Sequence, residues 1–294
     1  MTTTPTPDGL VIVDKPAGWT SHDVVARARR LTGTPKVGHA GTLDPMATGV
    51  LVLGVGRATR LLGHLQLADK AYDATIRLGE STVTDDAEGD IVTTSDASHL
   101  TDEQIRAAMQ PLTGEIHQVP SAVSAIKVDG KRAYARVRAG EDVQLEARPA
   151  TVPVFEARHV RFVGAVADIE VHVECSTGTY VRALARDLGA SLGVGGHLAM
   201  LRRTRVGGFT LDDAQTLEQL EAGFALVPIS RAARASFPSI ELDEARNRDV
   251  RFGRTLEDFD LGHEGPVALF GGCEEFLALY EQRGDTARPV AVFV

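Results

Sequence analysis

The sequence predicts an α+β protein with a small β-rich region at its C-terminal end. Three observations carry this. Short apolar or alternating runs, such as residues 10–13, 50–55 and 169–175, interleave with amphipathic helical stretches, such as residues 21–33 and 181–188. Beyond residue 230 the composition changes, and strand-like runs VALFGG, FLALYEQR and PVAVFV recur at short spacing between glycine and charged turns. At 294 residues, 43% hydrophobic and 24% charged, the chain can bury one large core and a smaller one.

The elements follow in order. MTTTPTPDG is polar and proline-bearing, with neither basic n-region nor apolar h-region, so residues 1–8 are expected to be a disordered tail. Residues 10–13 form a short buried strand, stopped by Lys15-Pro16 and turned by Ala17-Gly18. Ser21 is expected to N-cap a helix whose apolar face is Val24, Val25, Ala28 and Leu31, ended by Gly33. Arg27, Arg29 and Arg30 lie elsewhere on that helix, solvated or laid along phosphates. Next comes GHAGTLDPMATGV, residues 38–50, too rich in glycine, alanine and proline for regular structure. It displays one carboxylate, Asp44, held towards extended backbone by Pro45.

VLVLGV then reads as a strand and RATRLLGHLQ as a helix; Gly54-Val55-Gly56 lacks the third glycine of a dinucleotide loop. KAYDATIRLG alternates as a half-buried strand, with Tyr72 on its apolar side. Asp85, Asp86, Glu88 and Asp90 lack the spacing of a calcium loop and are expected to form an exposed hairpin or loop. Thr101 and Gln104 fit a capping box for the next helix. Residues 120–150 turn at Asp129-Gly130 and carry Lys127, Lys131, Arg132, Arg136, Arg138 and Tyr134, a composition suited to a nucleic-acid backbone. Ile169, Val171, Val173 and Cys175 alternate along a strand. Ser176 to Thr179 turn it into a helix and leave Tyr180 and Arg182 at the junction. Leu201 sits beside Arg202, Arg203 and Arg205, and TLEQLEAGFAL reads as a further helix.

Composition narrows the function. No apolar run approaches the ~20 residues that span a bilayer. Cys175 and Cys273, far apart and without a CxxC pair, suggest neither disulfide framework nor zinc site and fit a reducing cytoplasm. The net charge of −9 is unevenly spread: residues 1–72 hold 8 Lys/Arg against 5 Asp/Glu and residues 121–210 hold 13 against 9, while the remaining stretches are strongly acidic. A phosphate backbone responds to such local patches rather than to the total. Walker, HExxH and GxSxG motifs are all missing. A lone aspartate can act as a nucleophile at a sugar or an activated ring without a cofactor. Glycoside hydrolysis usually needs two carboxylates, and one is singled out here.

The run Gly38-His39-Ala40-Gly41-Thr42-Leu43-Asp44-Pro45-Met46-Ala47-Thr48-Gly49-Val50-Leu51 resembles the signature of the TruB-type tRNA pseudouridine-55 synthases. Further motifs follow in the same order: Asp14-Lys15-Pro16-x-Gly18-x-x-Ser21, Lys70-x-Tyr72, and Ser124-Ala125-x-Lys127-x-x-Gly130. Cys175-Ser176-x-Gly178-Thr179-Tyr180-x-Arg182 and His197-Leu198-x-x-Leu201-Arg202-Arg203-Thr204 complete the set, so the resemblance runs from Gly9 to about Phe209.

The resemblance implies a pseudouridine-synthase fold, a central mixed and mainly antiparallel sheet flanked by helices. The catalytic domain would occupy residues 9–230, with an RNA-contacting arm at about 120–150 and a small PUA-like domain at 231–294. It implies conversion of uridine to pseudouridine in the tRNA T-arm, without cofactor or metal. The protein would be a monomeric cytoplasmic enzyme with tRNA as its partner, no membrane and no protein partner. Asp44 would attack C6 of the base or C1′ of the sugar, or act as base in a glycal route. Arg182 would pair with Asp44, and Tyr72 would stack on the flipped uracil. Tyr180 and Leu201 would line the base pocket, and His39 would fill the space the base leaves. Lys15 would brace a neighbouring loop. Ser121 and Val123 depart from the Pro-Pro pattern common in this family, which bears on the pocket rim. A non-catalytic tRNA-binding or chaperone protein, and an RNA N-glycosidase, are the competing readings.

Overall fold

The structure, a computed structural model, describes residues 8–121, 127–128, 131–132 and 145–294. Most of the expected tail (residues 1–7) and the core of the expected arm, including Ser124, Ala125, Tyr134, Arg136 and Arg138, lie outside the described residues. The chain divides into two compact units. One comprises Met1–Asp44, Val50–Leu67 and Val206–Val294; the other comprises Pro45–Gly49 and Ala68–Arg205.

In the first unit the apolar run LVIV becomes the strand Gly9–Lys15, whose residues 10–13 are fully buried. It pairs antiparallel with Val227–Pro228, and Val13 bridges in parallel to Gln215. The helix Ser21–Thr32 buries Val24, Val25 and Ala28, and Gly33 closes it in the left-handed region at φ 66°. The residue that caps it is Thr20, not Ser21. Thr20 has extended backbone, its hydroxyl accepts from the Asp23 amide, and the Asp23 carboxylate accepts from the Thr20 amide in return. An N-cap side chain must reach the open N–H groups of the first turn; Ser21 is the first helical residue, and its buried hydroxyl is engaged elsewhere.

Five strands, in the order Ser239–Glu241, Val267–Gly271, Glu275–Arg283, Thr286–Val292 and Leu256–Glu257, form the expected β-rich C-terminal region. Period-two alternation gives this sheet two apolar faces. Ala268, Phe270, Phe276 and Leu279 join Leu10, Ile12, Val50, Val52, Phe209 and Phe293 in one core cluster. Val267, Leu269, Leu277 and Tyr280 pack with Val250 of the helix Glu244–Arg251 and with Leu256 in another.

In the second unit Val154–Val163, Val166–Cys175 and Lys70–Leu78 form an antiparallel ladder, with Gly196–Val206 next to Lys70–Leu78. The last of these pairs in parallel with the start of Thr48–Val55, Arg202 opposite Thr48 and Arg203 opposite Gly49. The sheet is therefore mixed and mainly antiparallel, as expected. Ile169, Val171, Val173 and Cys175 are all buried, and the helix Val181–Ser191 buries Val181, Leu184, Ala185 and Leu188. Gly49 makes the parallel pairing possible. Its φ is +99°, and a Cβ there would lie 2.1 Å from the carbonyl oxygen of Arg203.

The acidic segment departs from expectation. Glu80–Thr82 and the wholly exposed Ile91–Thr94 make the hairpin, but the turn between them folds inward. Asp86 is only 2% exposed. Leu198 accepts from the Ala87 amide and donates to the carbonyl of Asp85, so the turn is stitched to the strand Gly196–Val206. Burying a carboxylate is costly unless it is paired and hydrogen-bonded, and Asp86 is both: its Oδ1 accepts from Thr84 Oγ1 and the Glu88 amide, and its Oδ2 from Arg182.

Candidate active site

The Asp44 loop connects a hairpin. Val37–His39 pairs antiparallel with the far part of Thr48–Val55, His39 opposite Leu53, and the Ala40 amide donates to Val52. A chain of short contacts in the first unit fixes the loop. Lys15 is fully buried, and its Nζ donates to the carbonyls of Pro16 (2.9 Å) and Trp19 (2.6 Å), bracing the turn that follows the first strand. That turn delivers Ser21, whose Oγ donates to the carbonyl of Leu43 (3.1 Å) and accepts from its amide (2.8 Å). Both polar groups of the residue before Asp44 are thus satisfied by one buried hydroxyl. Leu43 and Ala47 are buried on either side of Asp44, which is half-buried. His39, the last residue of its strand, meets His22 of the first helix edge-to-face, ring centroids 5.6 Å apart.

The second unit carries Tyr72, Tyr180, Arg182 and Leu201. Tyr72 is buried in the strand Lys70–Leu78, opposite Val173. Tyr180 stands at the strand-to-helix junction as N-cap of Val181–Ser191. Its backbone is clamped by Gln118, whose Oε1 accepts from the Tyr180 amide (2.8 Å) and whose Nε2 donates to its carbonyl (3.1 Å). Arg182 is 7% exposed; its Nη1 donates to the Thr84 carbonyl and to Asp86 Oδ2, both at 3.1 Å. One turn later Arg186 donates to Asp85 Oδ2 and to the carbonyl of Val119. Two arginines at i and i+4 therefore hold the acidic turn. Leu201 is buried in Gly196–Val206, two residues before the buried Arg203.

Beside Tyr72, Lys70 lies opposite Cys175 in the ladder. Burial, reinforced by the charge of Arg203, pushes the Lys70 ammonium down to about 8. Burial likewise pushes the Cys175 thiol up to about 11, which makes it an inert core group. Among the described residues no three His, Cys, Asp or Glu side chains are grouped to hold a metal ion, and no helix is long and apolar enough to cross a membrane.

Sequence reasoning missed the tie from Ser21 to Leu43, and it missed Asp86, Gln118 and Arg186. The acidic pair Asp85-Asp86, matched in number by Arg182 and Arg186 at helical spacing, was the available signal for the second unit. Gln118 gave none.

Three family profiles tile most of the chain. TruB family pseudouridylate synthase (N terminal domain) matches residues 29–181. The tRNA pseudouridylate synthase B C-terminal domain matches 182–233, and tRNA Pseudouridine synthase II, C terminal, matches 237–294. The chain is 57% identical over 290 residues to tRNA pseudouridine synthase B of Thermobifida fusca (strain YX), covering 97% of this chain and 98% of that one. It is 58% identical over 294 residues to the same-named protein of Arthrobacter sp. (strain FB24), covering 97% and 96%. Among solved structures, an H/ACA RNP bound to a substrate RNA containing 2′-deoxyuridine matches with TM-score 0.72 at 26% identity, covering 97% of this chain and 85% of the other. An archaeal box H/ACA sRNP Nop10-Cbf5 complex matches with TM-score 0.72 at 28% identity, covering 97% and 86%.

Proposed function

The chain belongs to the TruB family of pseudouridylate synthases, and on that premise we propose that it isomerises uridine 55 of the tRNA T-arm to pseudouridine, with Asp44 as the reacting carboxylate. The observation that carries the assignment to Asp44 is its mounting. A half-buried acid follows a residue whose amide and carbonyl are both pinned by buried Ser21, and Ser21 is itself delivered by the turn that Lys15 braces. Such anchoring holds a reacting group close to its working geometry, the main device open to an enzyme without a cofactor.

The reaction breaks the N1–C1′ bond, turns the held uracil, and joins C5 to C1′; the C5 proton leaves, N1 gains one, and composition is unchanged. Attack of Asp44 on C6, attack on C1′, and proton abstraction in a glycal route all start from this carboxylate. C1′ of a stacked nucleotide is out of reach, so the target is flipped out, at a cost of a few kcal/mol. In this reading His39 fills the vacated space. Tyr72 stacks on the extruded base, and Tyr180 and Leu201 give it an apolar wall that keeps the detached uracil in place.

Arg182 is assigned the ion pair that keeps Asp44 charged and aimed. Asp86 and the Thr84 carbonyl hold one end of its guanidinium, which limits the directions in which the rest can point. We assign residues 9–230 to catalysis and 231–294 to a PUA-like domain, and take the basic residues of about 120–150 as the arm that engages the T-arm. A monomeric cytoplasmic protein without protein partners completes the reading.

The test is tritium release from 5-tritiated uridine in tRNA, with mapping of pseudouridine in a T-arm stem-loop. The native protein releases tritium and leaves RNA mass unchanged, whereas an N-glycosidase would free uracil. Asp44→Asn binds tRNA and releases none. Turnover by Asp44→Asn at the native rate would sink the assignment and leave a binding or chaperone role.

A further inference from the structure

We propose that the outer flank of the helix Ser21–Thr32 holds a second RNA contact, a groove for one nucleotide other than the uridine that reacts. The groove has a volume of about 340 Å³ and is lined by Gly18, Trp19, Asp23, Ala26 and Arg30. That volume lies at the small end of ligand sites and suits a single nucleoside, not a duplex. Asp23, Ala26 and Arg30 follow at intervals of three and four on one face of the helix, and Trp19 stands just before the Thr20 cap. The inference rests on the reading that the substrate is RNA.

Each lining group has a distinct chemical offer. Trp19, half-buried, is the single tryptophan of the chain and supplies an indole face for stacking. Asp23 uses Oδ2 to accept both the amide and the hydroxyl of Thr20, which leaves Oδ1 open to a donor. At the far end stands exposed Arg30. The other two arginines of this helix are engaged, Arg27 with Glu221 and Arg29 with the carbonyl of Val37, whereas Arg30 makes no hydrogen bond or ion pair among the described residues. Asp23 and Arg30 stand about 10 Å apart along the axis, the reach of a nucleoside with its flanking phosphate.

A base with an exocyclic amino group therefore fits best: its ring on Trp19, its amino group donating to Asp23, and its phosphate on Arg30. Uracil lacks that amino group, and its one edge donor, N3–H, is flanked by two carbonyl oxygens that the Asp23 carboxylate repels. The groove also adjoins the site described above. His22, on the next position to Asp23, meets His39 edge-to-face, so the helix that carries the groove also meets the hairpin that carries Asp44.

The single tryptophan makes the test direct. Asp44→Asn protein is titrated with tRNA, following Trp19 emission together with binding by anisotropy of labelled tRNA. The emission should quench along the same curve. Oligocytidylate should quench at lower concentration than oligouridylate of equal length. Arg30→Ala should weaken tRNA binding several-fold and reduce the slope of log affinity against log salt by about 1. Unchanged emission at saturating tRNA, oligouridylate quenching as well as oligocytidylate, or native affinity in Arg30→Ala each overturns the groove. Quenching by tRNA in a native protein that forms no pseudouridine would support the groove and sink the function assigned to Asp44.

Discussion

Ser21 and Asp86 do more for the candidate site than their types suggest, and each supports a prediction. Ser21 satisfies both backbone groups of Leu43 from a buried position. Ser21→Ala leaves a buried amide and carbonyl without that partner, which costs about 1–3 kcal/mol in urea unfolding. If the hydroxyl positions the loop, pseudouridine formation by the folded variant also falls about tenfold or more, because small displacements of a reacting group are expensive. A native rate at temperatures where Ser21→Ala is folded would remove Ser21 from the positioning of Asp44. Asp86 forms a buried pair with Arg182. Breaking such a pair from one side is costly, so Asp86→Ala should lose about 3–5 kcal/mol. A loss under 1 kcal/mol in the same assay would show that Arg182 is held by other partners.

At the scale of elements, the ladder between Lys70–Leu78 and Val166–Cys175 contains two groups with opposed titration. The folded Lys70 releases its proton near 8, while an unfolded lysine keeps it to about 10.5. Between those values the unfolded chain binds more protons, so the Lys70 contribution to stability rises with pH. Cys175 keeps its proton to about 11 when folded, against an ordinary value of 9.0, so its contribution falls across that range. The two partly cancel in the native protein, and a comparison with Lys70→Met separates them. The free-energy difference between native and Lys70→Met proteins should move in favour of the native one by about 1–2 kcal/mol from pH 8 to 10. A difference that stays flat with pH would mean Lys70 titrates like an exposed lysine.

Within the first unit, segments far apart in sequence share one core. Phe270, Phe276, Leu279 and Phe293, near the C-terminus, complete the cluster that contains Leu10, Ile12, Val50 and Val52 from the start of the chain. Each such side chain contributes roughly 1.5–3 kcal/mol when fully buried. Deleting residues 237–294 therefore uncovers an apolar face of the first unit. The truncated protein should aggregate or lose cooperative thermal unfolding, measured by calorimetry and light scattering. A soluble truncated protein with a sharp transition would show that the C-terminal sheet is dispensable for that core.

The sequence by itself determined the family, the strand and helix types that alternate at period two or 3.6, and the candidate residues His39, Asp44, Tyr72, Tyr180, Arg182 and Leu201. All of these are legible because local periodicity and contiguous motifs are written along the chain. It also led to the bracing role of Lys15, which the structure bears out through the carbonyls of Pro16 and Trp19. Only tertiary structure decided what Ser21, Asp86 and Gln118 do. Ser21 looked like a helix cap because its neighbours are helical, yet its partner is 22 residues away. Asp86 looked solvated because it sits among acids, and its partner is 96 residues away. Gln118 clamps Tyr180 from 62 residues off and belongs to no pattern at all. Burial of a polar group depends on whether a distant partner arrives to satisfy it, and no local window of sequence contains that partner.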